Sequence, residues 1–258
     1  MYQFSLVTVC LNSESTIRNT IDSIKNQTFQ DFEYIVVDGG STDNTLNIVN
    51  SYKPYFGERL KVLSEKDRGL YDAMNKGINL SSGKFIGILN SDDIFYNSSV
   101  LKKIERFHTV NKIDSSVGNI VVQSNGSIKR IYISKKWSPK NLKYGSMPPH
   151  PSIFLKRTLF KKYGLYSLDY RIAADYELLV RFYLKHRISF KYSGITTTKM
   201  SAGGLSNTGL KSYKIISNEI LKAFRDNQIQ CSYLAIKLRF VWKIREVLMS
   251  LTWYYFKD

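Results

Sequence analysis

Acidic and small polar residues gather at four places in the first hundred positions: Asn12 and Glu14, Asp38 to Thr42, Asp67 to Gly69, and Asn90 to Asp93. Each cluster follows an apolar run. In open α/β sheets, ligands bind in the crevice outside the carboxyl ends of the strands. The last cluster, Asn90-Ser91-Asp92-Asp93, closes the buried run Phe85–Leu89. Two adjacent carboxylates at such a strand end are costly unless a cation neutralises them. Hard oxygen ligands suit Mg²⁺ or Mn²⁺, which complete their shells with water and substrate phosphates. Taken alone, the pair also fits a solvated turn capping a helix near Ser98. The first cluster is not the G-x-G-x-x-G of dinucleotide enzymes, and no G-x-x-x-x-G-K-[ST] loop occurs. A nucleotide bound here is therefore held by other means.

These clusters must be positioned by the elements between them. Phe4–Cys10 is a β-branched and apolar run, followed by possible N-cap side chains at Asn12–Ser15 and by Ile17, Ile21 and Ile24 at helical spacing. Glu33–Val37 reads as a second buried strand, with Ser41 or Thr42 capping a helix that carries Leu46 and Val49. Leu60–Leu63 and Lys84–Leu89 read as strands, and Leu70–Leu80 and Val100–His108 as helices. This alternation predicts a parallel sheet covered on both faces. Gly118–Gln123 and Ile128–Ser134 flank Asn125-Gly126, the signature of a tight hairpin. Met147–Pro151 is a rigid extended stretch. Asp175–Lys185 reads as a helix with Leu178, Leu179 and Phe182 on its apolar side, and Thr196–Asn207 as a mobile loop. The tail reads as two helices, one with Tyr213, Ile216, Ile220 and Phe224 on a single face. The other, Tyr233–Phe256, either packs on the domain or lies in a membrane interface with Trp242, Trp253, Tyr254 and Tyr255 downward.

Charge is unevenly spread along the 258 residues, whose net charge is +17. Residues 1–98 carry twelve acids against nine cations, whereas 99–162 carry fourteen cations against two acids. The basic part predicts an anionic partner: nucleic acid, an anionic membrane or an anionic substrate. An acidic N-terminal third and the lack of a recognisable binding module disfavour nucleic acid. Cys10 and Cys231 match no metal or redox spacing. The N-terminal residues lack the pattern of a signal peptide and no run is long enough to span a bilayer, so a cytoplasmic location is expected.

The ordered set Val7-Thr8-Val9-Cys10-Leu11-Asn12-Ser13-Glu14, Ile35-Val36-Val37-Asp38-Gly39-Gly40-Ser41-Thr42-Asp43, Glu65 to Gly77 and Leu89-Asn90-Ser91-Asp92-Asp93 resembles the family 2 glycosyltransferases of the GT-A fold. His150-Pro151-Ser152-Ile153-Phe154 and Tyr170 to Glu177 extend the likeness, which covers roughly residues 3–206. The resemblance implies an α/β fold with a Rossmann-like, mostly parallel nucleotide-binding sheet, helices on both faces and a C-terminal helical extension. Residues 1–206 would form the transferase domain, 1–98 its nucleotide-sugar half and 99–206 its acceptor half, with 207–258 a basic amphipathic tail.

By the same resemblance Val9, Leu11 and Glu14 line a uridine pocket, the first two largely through backbone. Asp38 accepts from the uracil imide, and Asp67 and Arg68 contact base or diphosphate. Asn90, Ser91, Asp92 and Asp93 occupy the place of the DXD motif, where carboxylates hold ribose and Mn²⁺ or Mg²⁺. Asn90 stands where many members have an acid, which leaves the ion to Asp92 or Asp93. Met74 stands where many carry Arg, and Arg68 or Lys66 is left to supply that charge. Asp175 falls at the place of the catalytic base, and Gly203-Gly204 in a loop that closes over the donor. His150 either binds acceptor phosphate or is a rigid loop residue.

The implied reaction is inverting transfer of a hexose or N-acetylhexosamine from a UDP-sugar. Its acceptor is a polyprenyl-diphosphate-linked saccharide of O-antigen type, at the inner face of an anionic membrane. A sugar-phosphate nucleotidyltransferase shares the architecture and the metal, but a glycine-rich phosphate loop is expected there. A basic nucleic-acid-binding protein is the alternative from another class.

Overall fold

The computed structural model describes residues 2–124, 127–201 and 210–237. Parallel strands β1 (Phe4–Cys10), β2 (Phe32–Asp38), β3 (Leu60–Ser64) and β4 (Phe85–Ile88) stand in the order β3-β2-β1-β4. The sheet continues through β8 (Ile153–Lys156), β6 (Ser115–Ser124), β9 (Phe190–Ser201) and β5 (Ile94–Phe95), with β7 (Ser127–Tyr132) paired to β6. β8 runs antiparallel to β4 and β6, so the sheet is parallel in its first half and mixed in its second.

Every residue of β1 and β2 is buried, as expected of parallel strands covered on both faces. Alternate residues feed separate cores. Phe4, Leu6, Tyr34 and Val36 meet Ile17, Ile21 and Ile24 of α1 (Ile17–Lys25), together with Leu101 and Ile104 of α5 (Val100–Asn111). Val7, Val9, Ile35 and Val37 face the other way, onto Met74 and Ile78 of α4 (Leu70–Leu80). There α4 presses on β1 through Gly77, where an added Cβ would lie 2.4 Å from Val7 Cγ1. Gly77→Ala is expected to cost about 1–3 kcal/mol by overpacking, read as a lower urea midpoint at unchanged m-value.

Several expectations need correction. The helix after β2, α2 (Thr45–Asn50), begins three residues beyond Thr42, and neither Ser41 nor Thr42 caps it. A short helix α3 (Lys53–Phe56) follows before β3. Thr196–Ser201 is not loop but the end of β9, with Thr197 and Thr198 fully buried. Their hydroxyls donate to the Pro151 and Asn119 carbonyls, so a polar run is accommodated inside the sheet. After α6 (Arg157–Tyr163), the helix containing Asp175 is α7 (Ala174–Leu179), which widens into a π-helical turn over Val180–Lys185. The chain then reaches α8 (Leu210–Asp226), which buries Ile220 and Phe224 as predicted, and α9 (Tyr233–Lys237). The Asn125-Gly126 turn, Gly203, Gly204 and the tail aromatics Trp242, Trp253, Tyr254 and Tyr255 lie outside the described residues.

Candidate active site

The four clusters converge at the carboxyl ends of β1 to β4. The first loop turns through Asn12 in a left-handed conformation, φ 49°. Its polar groups do not cap α1, whose N-cap Thr16 makes no side-chain capping bond. They bind the second loop instead. Asn12 Oδ1 accepts the Thr42 N–H at 2.9 Å, and the Asn12 N–H donates to Ser41 Oγ at 2.8 Å. Glu14 Oε2 accepts the Asn44 N–H at 2.9 Å, while the Glu14 N–H donates to Asp43 Oδ2 at 3.0 Å. Ser13 and Ser91 hydroxyls meet at 2.9 Å, joining the first loop to the fourth.

Asp38, fully buried at the end of β2, is the hub of the second loop. Its carboxylate accepts the Gly40 and Ser41 N–H groups at 3.2 and 3.0 Å, the Ser64 hydroxyl at 2.7 Å, and the Ser41 hydroxyl. Burial alone would raise its pKa, but these bonds outweigh it and hold the carboxyl below the usual range. Val9 is buried in the core, so it offers the crevice backbone only. Leu11, by contrast, is 58% exposed. Leu11 and Asp67 close over Gly39: an added Cβ there would lie 2.6 Å from Asp67 Oδ2 and 3.6 Å from Leu11 Cδ1. Arg68 projects into solvent, its guanidinium 3.6 Å from Asp72. Met74 belongs to the core. Gly39→Ala is expected to push Asp67 aside and raise the donor KM several-fold at nearly unchanged Tm, measured by initial rates and thermal melting.

At the fourth loop the backbone is pinned from two sides. Thr20 Oγ1 donates to the Asp93 carbonyl and Ser201 Oγ to the Asp92 carbonyl, both at 2.8 Å. The two carboxylates then differ. Asp92 is exposed, whereas Asp93 is 1% exposed and caps no helix; α5 starts after Ser99, whose N–H donates to Asn97. Burial first, and the neighbouring Asp92 second, push the Asp93 pKa up to about 8. Asp93 Oδ2 and Asn90 Oδ1 are buried oxygens without a hydrogen-bond donor. Orphaned oxygen acceptors beside a free carboxylate fit a hard divalent cation. Among the described residues no cluster of three or more His, Cys, Asp or Glu forms, so such an ion would draw its other ligands from phosphate and water.

Asp175 occupies the first turn of α7 and is partly exposed. Its Oδ1 accepts the Tyr176 N–H at 2.8 Å and lies 3.3 Å from the Tyr71 hydroxyl, which donates to the Ile172 carbonyl. Desolvation raises the Asp175 pKa, opposed by His150 and by these hydrogen bonds. Tyr71 is the second residue of α4, two residues past the Asp67–Gly69 loop, so the third strand-end loop and the Asp175 segment are joined through one phenol. Behind it, the Tyr71 and Tyr166 rings lie 5.6 Å apart, and Tyr166 Oη meets His150 Nε2 at 2.7 Å. Burial lowers the His150 pKa, against the pull of Asp175, and the ring nitrogen is already engaged with the Tyr166 hydroxyl.

Residues 5–166 match the family model described as Glycosyl transferase family 2. The chain belongs to this family. A PGL/p-HBAD biosynthesis glycosyltransferase of Mycobacterium tuberculosis is 33% identical over 225 residues, 85% of this chain and 82% of that protein. An uncharacterized glycosyltransferase of Rickettsia prowazekii is 26% identical over 215 residues, 80% of this chain and 66% of that one. Among solved structures, S. aureus TarS 1–349 in complex with UDP-GlcNAc superposes with a TM-score of 0.68 at 21% identity. That match covers 92% of this chain and 69% of TarS 1–349. The mannosyltransferase PcManGT of Pyrobaculum calidifontis, in complex with GDP-Man and Mn²⁺, gives 0.64 at 15% identity, covering 99% of this chain and 76% of that one. The sheet and its helices are thus those of the GT-A fold.

For this family 2 glycosyltransferase, the family match ends before Asp175, which lies within the broader structural match. Tyr71 was visible in the sequence as part of the third motif, but nothing local marked its hydroxyl as a partner of Asp175. The two are 104 positions apart, and only folding brings them together.

Proposed function

We propose that this glycosyltransferase inverts at the anomeric carbon, moving a hexose or N-acetylhexosamine from a UDP-sugar to a polyprenyl-diphosphate-linked saccharide in surface-polysaccharide synthesis. The observation that carries this reading is the Tyr71 bridge, which sets a partly exposed carboxylate beside the donor crevice. Asp175 takes the proton of the acceptor hydroxyl as its oxygen attacks the anomeric carbon. The bond from that carbon to the β-phosphate oxygen breaks on the opposite face, and UDP leaves with the electron pair. No second carboxylate nucleophile is needed. The exposed Leu11 covers the base, and Asp38 takes the uracil imide once the Ser41 or Ser64 hydroxyl turns away. Asp67 and Arg68 face the base or diphosphate. Asp92 and Asp93 would hold Mn²⁺ or Mg²⁺, which would neutralise charge on the departing diphosphate.

The lipid-linked acceptor and a peripheral position on an anionic membrane are supported by the second half of the chain. Residues 115–168 contain ten Lys or Arg and no Asp or Glu. Lys129, Lys135, Lys140 and Lys143 are exposed in the same stretch of chain as exposed Ile128, Ile133 and Tyr144, a mixture suited to anionic headgroups. The 139–144 turn adjoins the Asp175 segment, because the Tyr176 hydroxyl donates to the Leu142 carbonyl. Among the described residues no helix is long and apolar enough to cross a membrane.

The test is a panel of UDP-sugars with and without Mn²⁺, scored for UDP release with a lipid-diphosphate sugar acceptor. Release that depends on both one UDP-sugar and the acceptor supports the reading; no release with any of them counts against it. Flotation with anionic liposomes should weaken as salt rises. Equal recovery in the soluble fraction at every salt concentration would remove the membrane from the proposal.

A further inference from the structure

The segment that carries Asp175 is held by a helix from far along the chain. α7 begins with Ala173 at its N-cap, a residue with no side-chain acceptor, so the amides around the cap need a partner from elsewhere. Glu219 of α8 provides it. Its Oε1 accepts the Arg171 N–H at 2.7 Å, and its Oε2 accepts the Ile172 and Ala173 N–H groups at 3.0 and 2.8 Å. Three successive amides on one carboxylate set the peptide planes that lead directly into Asp175. Charge-assisted bonds of this kind are the strong ones.

Other contacts brace the same segment. Tyr170 Oη donates to Asp226 at 2.6 Å, and Asn227 Nδ2 donates to Glu177 Oε1 at 3.0 Å. From the opposite side, Tyr71 donates to the carbonyl of Ile172, the residue whose N–H Glu219 holds. Ile172 is thereby clamped between the donor half of the molecule and α8.

We propose that Glu219 is a positioning residue for Asp175, fixing where its carboxylate meets the acceptor hydroxyl; this rests on the reading of Asp175 as the base. Glu219→Gln replaces one accepting oxygen by a donor NH2 facing amide N–H groups. Glu219→Asp keeps the charge but is one methylene too short to reach all three. Both changes free the backbone before Asp175 while leaving the donor crevice untouched. A displacement of about 1 Å at a reacting group can cost on the order of 100-fold.

The experiment compares Glu219→Gln, Glu219→Asp and Asp175→Asn in the full chain. It measures kcat with a lipid-diphosphate acceptor, UDP binding by calorimetry, and amide hydrogen exchange. The expected result for both Glu219 variants is UDP binding at wild-type stoichiometry and affinity, with kcat lower by about 10- to 100-fold. Exchange should quicken in peptides spanning 170–176 and stay unchanged in those spanning β1 to β4. A kcat within twofold of wild type, or a kcat loss matched by an equal loss of UDP-binding sites, overturns the proposal. If Asp175→Asn itself turns over normally, the base reading falls and the role of Glu219 with it. If Asp175→Asn is inactive while both Glu219 variants are normal, the positioning role alone falls.

Discussion

Asp175→Asn is expected to lower kcat by about 10³-fold while UDP affinity stays within twofold of wild type. A positioned general base contributes roughly 10² to 10⁴ in rate, and an amide cannot take the acceptor proton. The substitution is nearly isosteric, and the amide oxygen can still accept the Tyr176 N–H that Asp175 Oδ1 holds at 2.8 Å. Folding should therefore survive, which a thermal melt would confirm. The pH profile of the wild type supplies a second test. On the proposed reading Asp175 works only when ionised, and desolvation raises its pKa above the usual carboxylate value. So kcat should climb with pH through a limb displaced upward from that of a free carboxylate, and the limb should vanish in Asp175→Asn. A flat wild-type profile across the acidic range, with normal turnover in the variant, would assign the base elsewhere.

The second large effect falls on the fourth loop. Asp92→Asn and Asp93→Asn are each expected to lower kcat by about 10²-fold or more, through lost stabilisation of the departing diphosphate. Their other signature needs no turnover. An ion that binds the folded state raises Tm by mass action, so Mn²⁺ should stabilise the wild type and lose that effect in whichever variant removes the carboxylate that holds it. Comparing them also separates the carboxylates. Asp93 is enclosed, with one oxygen lacking a donor, whereas Asp92 reaches solvent where a diphosphate would arrive. If Asp93 holds the ion and Asp92 orients ribose, Mn²⁺ stabilisation disappears in Asp93→Asn and persists in Asp92→Asn. A wild type whose melting and turnover ignore Mn²⁺ and Mg²⁺ would remove the metal from the mechanism.

Much of the first hundred residues was legible without a structure. β1, β2 and α4 stand where hydrophobic periodicity placed them, because parallel strands and an amphipathic helix are written in spacings of a few residues. The loops between them were legible for the same reason: polar residues at strand ends interrupt those periods. β9 was not, since Thr197 and Thr198 show no apolar pattern and are buried only because Pro151 and Asn119 offer carbonyls to their hydroxyls. The widening of α7 at Val180 likewise leaves no mark on the spacing of Leu178, Leu179 and Phe182.

The α/β alternation, four polar strand ends, a paired carboxylate and the charge asymmetry between the two halves can all be read along the chain. How those groups are used follows from the folded arrangement. It turned Asn12 and Glu14 from possible helix caps into ties to the second loop, and it buried Asp93 while leaving Asp92 open. It also set Tyr71 and Glu219 on either side of Ile172, in contact with the segment that carries Asp175. The reason is common to all three. A polar side chain has many admissible partners, and the one it takes depends on which distant segment the sheet order brings within hydrogen-bonding reach. Spacing along the chain records periodicity, not that adjacency.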